Sequence, residues 1–319
     1  MHERGVCVIV NPIDVLHQFP VRKTPKQKQA FRDAVLAYAQ NIGYGCTVEK
    51  GAFDCRNVVI GNPDSAYYLV TAHYDTCAVM PFPNFITPCN VAVYMLCQLA
   101  LYLTVAAAAG VTGGILGFVS GSPLLGKILA VLFALTILGL LVLGPANKNN
   151  ANDNTSGVVT LLEVARSIPQ NQRSKVCFVL FDLEEAGLIG SSSYRKAHRK
   201  VTDRQIVLNL DCVGEGDEIL LFPTKYLKKN MTKLKQIYFS CGYFGNKSLL
   251  VWDRGPSFYP SDQMCFPYGV GIAALKRSKY GLYLSKIHTS ADANLDITNV
   301  NILRAALVSM ICCSAVKKG

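Results

Sequence analysis

The chain has 319 residues, half of them apolar and 17% charged, with a formal net charge of +11. That length can bury a sizeable core without staples, and the composition excludes a disordered chain, a coiled coil and a collagen-like protein. The positive balance suits an anionic partner, either nucleic acid or an acidic membrane surface.

In chain order, Met1-His2-Glu3-Arg4 leads into no long apolar stretch, which predicts no signal peptide. Thr24-Pro25 supplies an N-cap and a proline at the first helical position. Phe31, Ala34, Val35 and Tyr38 follow at helical spacing until Gly43 and Gly45 end the helix. Residues 57–60 and 67–72 read as strands. Twelve cysteines are spread along the chain with no C-x-x-C pair. A disulfide framework is dense and short, whereas Cys177 and others lie in apolar runs and read as small buried hydrophobes with reduced thiols.

The strongest compositional feature is internal. Residues 76–126 contain no Asp, Glu, Lys or Arg, and residues 91–119 and 128–143 are two apolar runs joined through Pro123. About twenty helical residues span the roughly 30 Å of hydrocarbon in a bilayer. Neither run has the polar face of a helix on a soluble core. This predicts a transmembrane hairpin over residues 91–145, with the lipid bilayer as partner. Gly110-x-x-x-Gly114 and Gly113-x-x-x-Gly117 permit close helix packing, within the hairpin or against another subunit. A hairpin returns the chain to the side it left, so residues 1–90 and 146–319 form one domain in one compartment. Lys127 and Lys148 nearly balance the positive-inside count. The thiols and the missing signal peptide place that domain in the cytoplasm.

Beyond the hairpin, helices are predicted at 158–168, 188–198, 225–239, 262–266 and 299–316. Strands are predicted at 175–181, 205–210, 249–252 and 270–275. Continuous apolar strands alternating with helices indicate an α/β fold, a mixed and mostly parallel sheet sandwiched by helices and interrupted by the hairpin.

In such sheets ligands bind at the carboxyl ends of strands, and acids and histidines collect there. The strand at 67–72 runs into His73-Tyr74-Asp75, whose outer two residues share a face in extended chain. A metal-bound imidazole gives its other N–H to a carboxylate, and Asp75 is placed for that. The strand at 175–181 ends in Asp182-Leu183-Glu184-Glu185. Adjacent carboxylates there repel, which a cation relieves; a solvated acidic turn is the alternative. Asp211 ends the next buried strand. Asp153 precedes a helix and reads equally as a helix cap. His288 stands in Ile287-His288-Thr289-Ser290-Ala291-Asp292 and, taken alone, reads as a core or surface histidine.

Taken together, these residues resemble the M28 zinc peptidases of the co-catalytic aminopeptidase type, from about residue 25 to 315. The motifs are Thr71-Ala72-His73-Tyr74-Asp75, Asp153-Asn154-Thr155-Ser156-Gly157, Phe181 through Ser191, Asn209-Leu210-Asp211, Ser261-Asp262 and Ile287 through Asp292. The resemblance implies a zinc-dependent exopeptidase fold, of phosphorylase/hydrolase-like type, acting on peptides. It implies two zinc ions, with cobalt or manganese able to replace them: His73 and Asp211 on one, Glu185 and His288 on the other, Asp153 bridging. Imidazole and carboxylate ligands suit zinc. Glu184 would be the general base for a metal-activated water, and Asp75 would orient His73.

Two departures from the family pattern stand out. His73 and Asp153, joined by a short segment in relatives, are 80 residues apart here, and the excess is the hairpin. That places the active-site rim near the membrane, with Pro81-Phe82-Pro83-Asn84-Phe85 at the interface. The family's His after Ser-Asp is Gln263. Tyr243, Tyr259 and Tyr268 are candidate oxyanion donors. Lys225, Lys228, Lys229, Lys233 and Lys235 read as a solvated helix face; as a binding face they suit anionic lipid rather than nucleic acid, since no nucleic-acid motif accompanies them. His2, His17 and His198 have no partner at ligand spacing and read as surface residues. A glutaminyl cyclase, a carboxypeptidase and a non-catalytic peptidase-like receptor are the competing readings; nothing in the sequence sets the oligomeric state.

Overall fold

The computed structural model describes residues 9–313 except Pro83 and Ser285. The N-terminal tetrapeptide, Cys7 and the end of the expected closing helix, 314–316, lie outside the described residues. A short helix α1 (Asp14–Gln18) precedes α2 (Pro25–Asn41). Thr24 and Gln27 form a reciprocal capping box at the start of α2, with Pro25 in the first turn. Strands β1 (Cys46–Lys50), β2 (Arg56–Ile60) and β3 (Tyr68–His73) follow, then the helical pair α3 (Val91–Val119) and α4 (Pro123–Leu143). The second part runs α5 (Ser156–Ser167), β4 (Val176–Phe181), α6 (Ile189–Ala197), α7 (Arg199–Thr202), β5 (Ile206–Leu210) and β6 (Glu218–Pro223). It closes with α8 (Lys225–Lys228), α9 (Met231–Tyr238), β7 (Gly242–Phe244), β8 (Lys247–Val251), β9 (Gly269–Ser278), β10 (Gly281–Tyr283) and α10 (Ile297–Cys313).

The strands form one mixed sheet in the order β1-β2-β4-β3-β5-β9-β6-β8-β7, with β10 on β9. Its centre, β4-β3-β5-β9, is parallel, and the pairs flanking it are antiparallel except β6 with β8, which is parallel. Strands from before and after the helical pair lie side by side, since β3 pairs with both β4 and β5. Every residue of β3, β4 and β5 is buried, which is why they read as unbroken apolar runs. One face packs on α2, α5 and α10 through residues such as Phe31, Leu161 and Leu303. The other packs through Phe181, Tyr194 and Phe266. Each such fully buried side chain contributes about 1.5–3 kcal/mol of transfer free energy.

Three expectations are corrected. The single basic helix at 225–239 is two short helices, because the Asn230 side chain accepts a bond from Lys233 N and starts a new one. The helix start at 262–266 is one tight 3₁₀ turn over Asp262–Cys265. β1, β6, β7 and β10 were not read from the sequence; β1, β7 and β10 are short, half-exposed strands held by their partners rather than by an apolar pattern.

By length and composition, α3 and α4 are both able to cross a bilayer, and only 6% of the most apolar window in each is buried within the chain. Their 29 and 21 residues correspond to about 43 and 31 Å of helix. A core helix of a soluble protein would be mostly covered, whereas Leu99, Val111, Leu132 and Leu135 are more than half exposed. The backbones of the two helices touch at glycines: a Cβ on Gly126 would collide with Gly113 O and Gly117 Cα. Gly113-x-x-x-Gly117 therefore serves the contact inside the pair, while Gly110 and Gly114 have nothing near their missing Cβ.

Candidate metal centre

The carboxyl ends of β3, β4 and β5 meet the turn before α5 and the loop after β10. His73 is the last residue of β3, and its Nε2 lies 3.3 Å from Asp153 Oδ1 and 3.7 Å from Asp211 Oδ1. His288 Nε2 lies 3.0 Å from Asp153 Oδ2 and 3.7 Å from Glu185 Oε2. Asp153 thus faces one imidazole with each oxygen. The ligand-type atoms fall into overlapping groups, His73–Asp153–Asp211 and Asp153–Glu185–His288 with Cys77, each within 4.8 Å. Glu184 groups with His73 and Glu185 on the same scale.

Local structure holds each group. The Asp153–Asn154 peptide is cis. Asp292 accepts the backbone N–H groups of Asn152 and Asp153 at 2.8 and 3.0 Å, one on each oxygen. Asn154 accepts from Gly157 N and Cys212 N and donates to Leu210 O, tying that turn to the end of β5. Asp75 accepts from Glu184 N at 3.0 Å and Glu185 N at 3.2 Å, and its Oδ1 is 3.5 Å from His73 Nδ1. Leu183, Cys212 and His288 have left-handed backbone, with φ of 56°, 56° and 62°. Non-glycine residues pay for that conformation, and all three stand in or beside the cluster.

The electrostatics are those of a crowded acidic pocket. Burial raises Glu185 to about 8 and pushes Glu184 well above its usual range. Burial opposes charge on His288 and His73, yet the surrounding carboxylates raise the first to about 9 and the second well above its ordinary value. The two imidazoles in turn hold Asp153 below its usual range despite its burial. Asp211 Oδ1 and Glu185 Oε1 are buried with no hydrogen-bond donor among the described residues. Acceptors left bare around a shared carboxylate are a donor set suited to divalent cations, and nitrogen and carboxylate oxygen suit zinc.

The structure brings together all seven sequence-derived residues: His73, Asp75, Asp153, Glu184, Glu185, Asp211 and His288. Sequence reasoning missed Cys77, fully buried beside Glu185 and His288. Its signal was the 73–75–77 alternation. It also missed Arg22, fully buried, whose guanidinium donates to Tyr74 O, Phe19 O, Asn150 Oδ1 and Thr155 Oγ1 and so pins both ligand-bearing segments. Of the three tyrosines, Tyr259 alone reaches a candidate ligand residue, donating to Asp211 O at 3.0 Å; Tyr243 is 75% exposed, and Tyr268 lies under Lys233. Gln263 is buried, donating to Tyr259 O and accepting from Asn209. His198 is corrected: its Nε2 lies 2.8 Å from Glu49 Oε2, a partner that β1 brings in.

The chain entering and leaving the helical pair runs beside the site. Ala78 bridges Ala146, Val79 N donates to Pro145 O at 2.8 Å, and Asn147 N to Cys77 O at 3.0 Å. Met80 N donates to His288 O at 2.7 Å, and Asn147 Nδ2 to Thr289 O at 2.9 Å.

This fold is that of a zinc-dependent exopeptidase. A solved structure described as a Zn-dependent exopeptidase from Parabacteroides distasonis ATCC 8503 superposes with a TM-score of 0.59 at 16% identity, covering 94% of this chain and 96% of that one. The glutaminyl cyclase of Porphyromonas gingivalis superposes with a TM-score of 0.58 at 15% identity, covering 94% and 96%. Aminopeptidase YwaD of Bacillus subtilis (strain 168) is 39% identical over 73 residues, a match that spans 21% of this chain and 16% of the relative's length. The model of peptidase family M28 matches residues 140–310, more than half of the chain, and the chain belongs to that family.

Proposed function

We propose that this chain is a membrane-anchored metallopeptidase that removes N-terminal residues from peptides. The observation that supports it most is the Asp153 carboxylate set between His73 and His288, at 3.3 and 3.0 Å, with bare acceptors on Asp211 and Glu185. In this reading His73 and Asp211 hold one zinc ion, Glu185 and His288 a second, and Asp153 both; cobalt or manganese fit the same donors. When bound, the ions supply Lewis-acid polarisation of the scissile carbonyl and a water acidic enough to ionise near neutral pH.

The chain's own residues do the rest. Glu184 takes the proton of the attacking water and delivers it to the leaving amine. Asp75 keeps the ring of His73 turned toward Asp153 and Asp211, and anchors the backbone of Glu184 and Glu185 through the same carboxylate. Asp292 fixes the backbone of Asp153.

Residues 91–145 act as the anchor, inserted between the 1–90 and 146–319 parts of one catalytic domain on the cytoplasmic side. The pairing of 77–79 with 145–147, with Met80 bonded to His288 O, supports an active site at the membrane surface. Peptides lying at that surface are then the accessible substrates.

Hydrolysis of aminoacyl-arylamides by the detergent-purified chain, with and without chelator, tests the reading. Turnover abolished by chelator and restored by zinc, with two equivalents on elemental analysis, is expected. A panel of free and N-blocked peptides separates the competitors. Preference for blocked N-termini points to a carboxypeptidase, cyclisation of N-terminal glutamine to a glutaminyl cyclase, and no turnover with metal bound to a receptor.

A further inference from the structure

A second cluster of charge lies outside the metal centre. A cavity of about 360 Å³ opens between the start of α2, the turn before β2 and the end of β4, lined by Lys23, Lys28, Arg32 and Arg56 with Asp54 and Asp182. Four cations face two anions. Both acids are engaged: Asp182 accepts from Lys28 Nζ at 2.5 Å and from the backbone of Arg56 and Leu183, and Asp54 meets Lys50 at 2.9 Å and Arg56 at 3.3 Å.

Arg32 is therefore the outstanding group. It is 6% exposed, its Nη1 donates to Tyr74 Oη at 2.9 Å, and no carboxylate among the described residues lies within ion-pair distance. The tyrosine hydroxyl is itself committed, donating to Arg56 O. With no carboxylate paired to it, the planar fork of this guanidinium matches an oxyanion with two parallel N–H groups. Lys23, with no carboxylate partner among the described residues, donates to Val142 O at 3.0 Å, in the last turn of α4. The cavity mouth therefore adjoins the end of a helix read here as membrane-spanning.

We infer that this cavity binds a phosphate-type oxyanion between Arg32, Arg56 and Lys23. The shared chemistry has two sources, a free phosphate or the headgroup phosphate of an anionic lipid. The headgroup source rests on the membrane reading; the oxyanion site does not, and neither rests on peptidase activity.

The full chain in detergent is titrated with inorganic phosphate, before and after chelation, and the unfolding temperature is followed. Native mass spectrometry then compares lipid retained from phosphatidylglycerol and from phosphatidylcholine bilayers. Arg32→Gln, which keeps a donor for Tyr74, and Arg56→Gln, at the more open side, accompany wild type. A saturable phosphate shift that survives chelation and weakens ten-fold or more in the variants supports a free-oxyanion site. Retention of phosphatidylglycerol over phosphatidylcholine, lost in the same variants, supports the headgroup. Binding that chelation abolishes belongs to the metal centre and overturns the inference, as does binding unchanged by the substitutions or absent with both probes. Arg56→Gln alone decides if Arg32→Gln does not fold.

Discussion

Glu184 and Glu185 are neighbours in sequence and differ in what surrounds them. Glu185 lies 3.7 Å from His288, whereas Glu184 lies toward His73 and feels the charges of Glu185, Asp262 and Asp211. In the proposed mechanism Glu185 binds metal and Glu184 moves protons. Glu184→Gln keeps size and polarity but cannot take a proton. Turnover should fall by about 10²–10⁴-fold, while elemental analysis still finds the wild-type metal content. Near-normal turnover in this variant would falsify the assignment of the base. Glu215 gives a prediction about stability. Burial works to raise its carboxyl, but Lys276 at 2.5 Å and Lys286 at 3.2 Å hold it below its ordinary value. A folded-state value below the unfolded one stabilises the protein above the unfolded value of about 4.3 and loses that contribution as pH falls through the folded value. Urea unfolding between pH 6 and 3 should therefore show a shallower acid loss in Glu215→Gln than in wild type.

At the scale of elements, the α3–α4 contact is made by absent side chains. Gly113, Gly117 and Gly126 let two backbones meet, and any side chain at Gly126 must push them apart. Gly126→Leu should cost about 1–3 kcal/mol, the usual penalty of overpacking. Gly114→Leu, with open space around it, should stay within about 0.5 kcal/mol. Unfolding in detergent, followed by circular dichroism, compares the two; equal losses would mean that the glycine contact does not hold the pair together, and a larger loss in Gly114→Leu that the faces are assigned the wrong way round. The same scale explains the limits of the sequence reading. β3, β4 and β5 are buried on both faces, so composition alone marks them as strands. β1, β7 and β10 carry no such pattern, because an edge strand takes its conformation from the neighbour it pairs with. The break at Asn230 turns on one side chain capping a backbone N–H, a choice that the apolar periodicity of 225–239 does not encode.

For the whole molecule, the location of the helical pair matters more than its presence. It leaves the domain between β3 and α5, the segments that contribute His73 and Asp153, and its two ends pair beside His288. If the pair spans a bilayer, the proposed active site lies within a few residues of the membrane surface. Two measurements check this. The full chain should stay in the membrane fraction after alkaline carbonate extraction. In right-side-out vesicles, protease added outside should leave the C-terminus intact; cleavage there would put the catalytic domain on the opposite face.

By itself the sequence determined the central buried strands β3, β4 and β5, the two apolar helices and the chemical types at the strand ends. These depend on side-chain polarity along a local stretch of chain, which is written directly in residue order. The tertiary structure decided which of those residues meet. His73 and Asp153 are 80 positions apart, and their separation is set by the pairing of β3 with β4 and β5, by the bonds from Asn154 to His73 O and Leu210 O, and by Arg22. Cys77, Arg22 and Asp292 took their places at the site for the same reason. Their partners come from distant segments, and a contact between distant segments exists only once the chain has closed on itself.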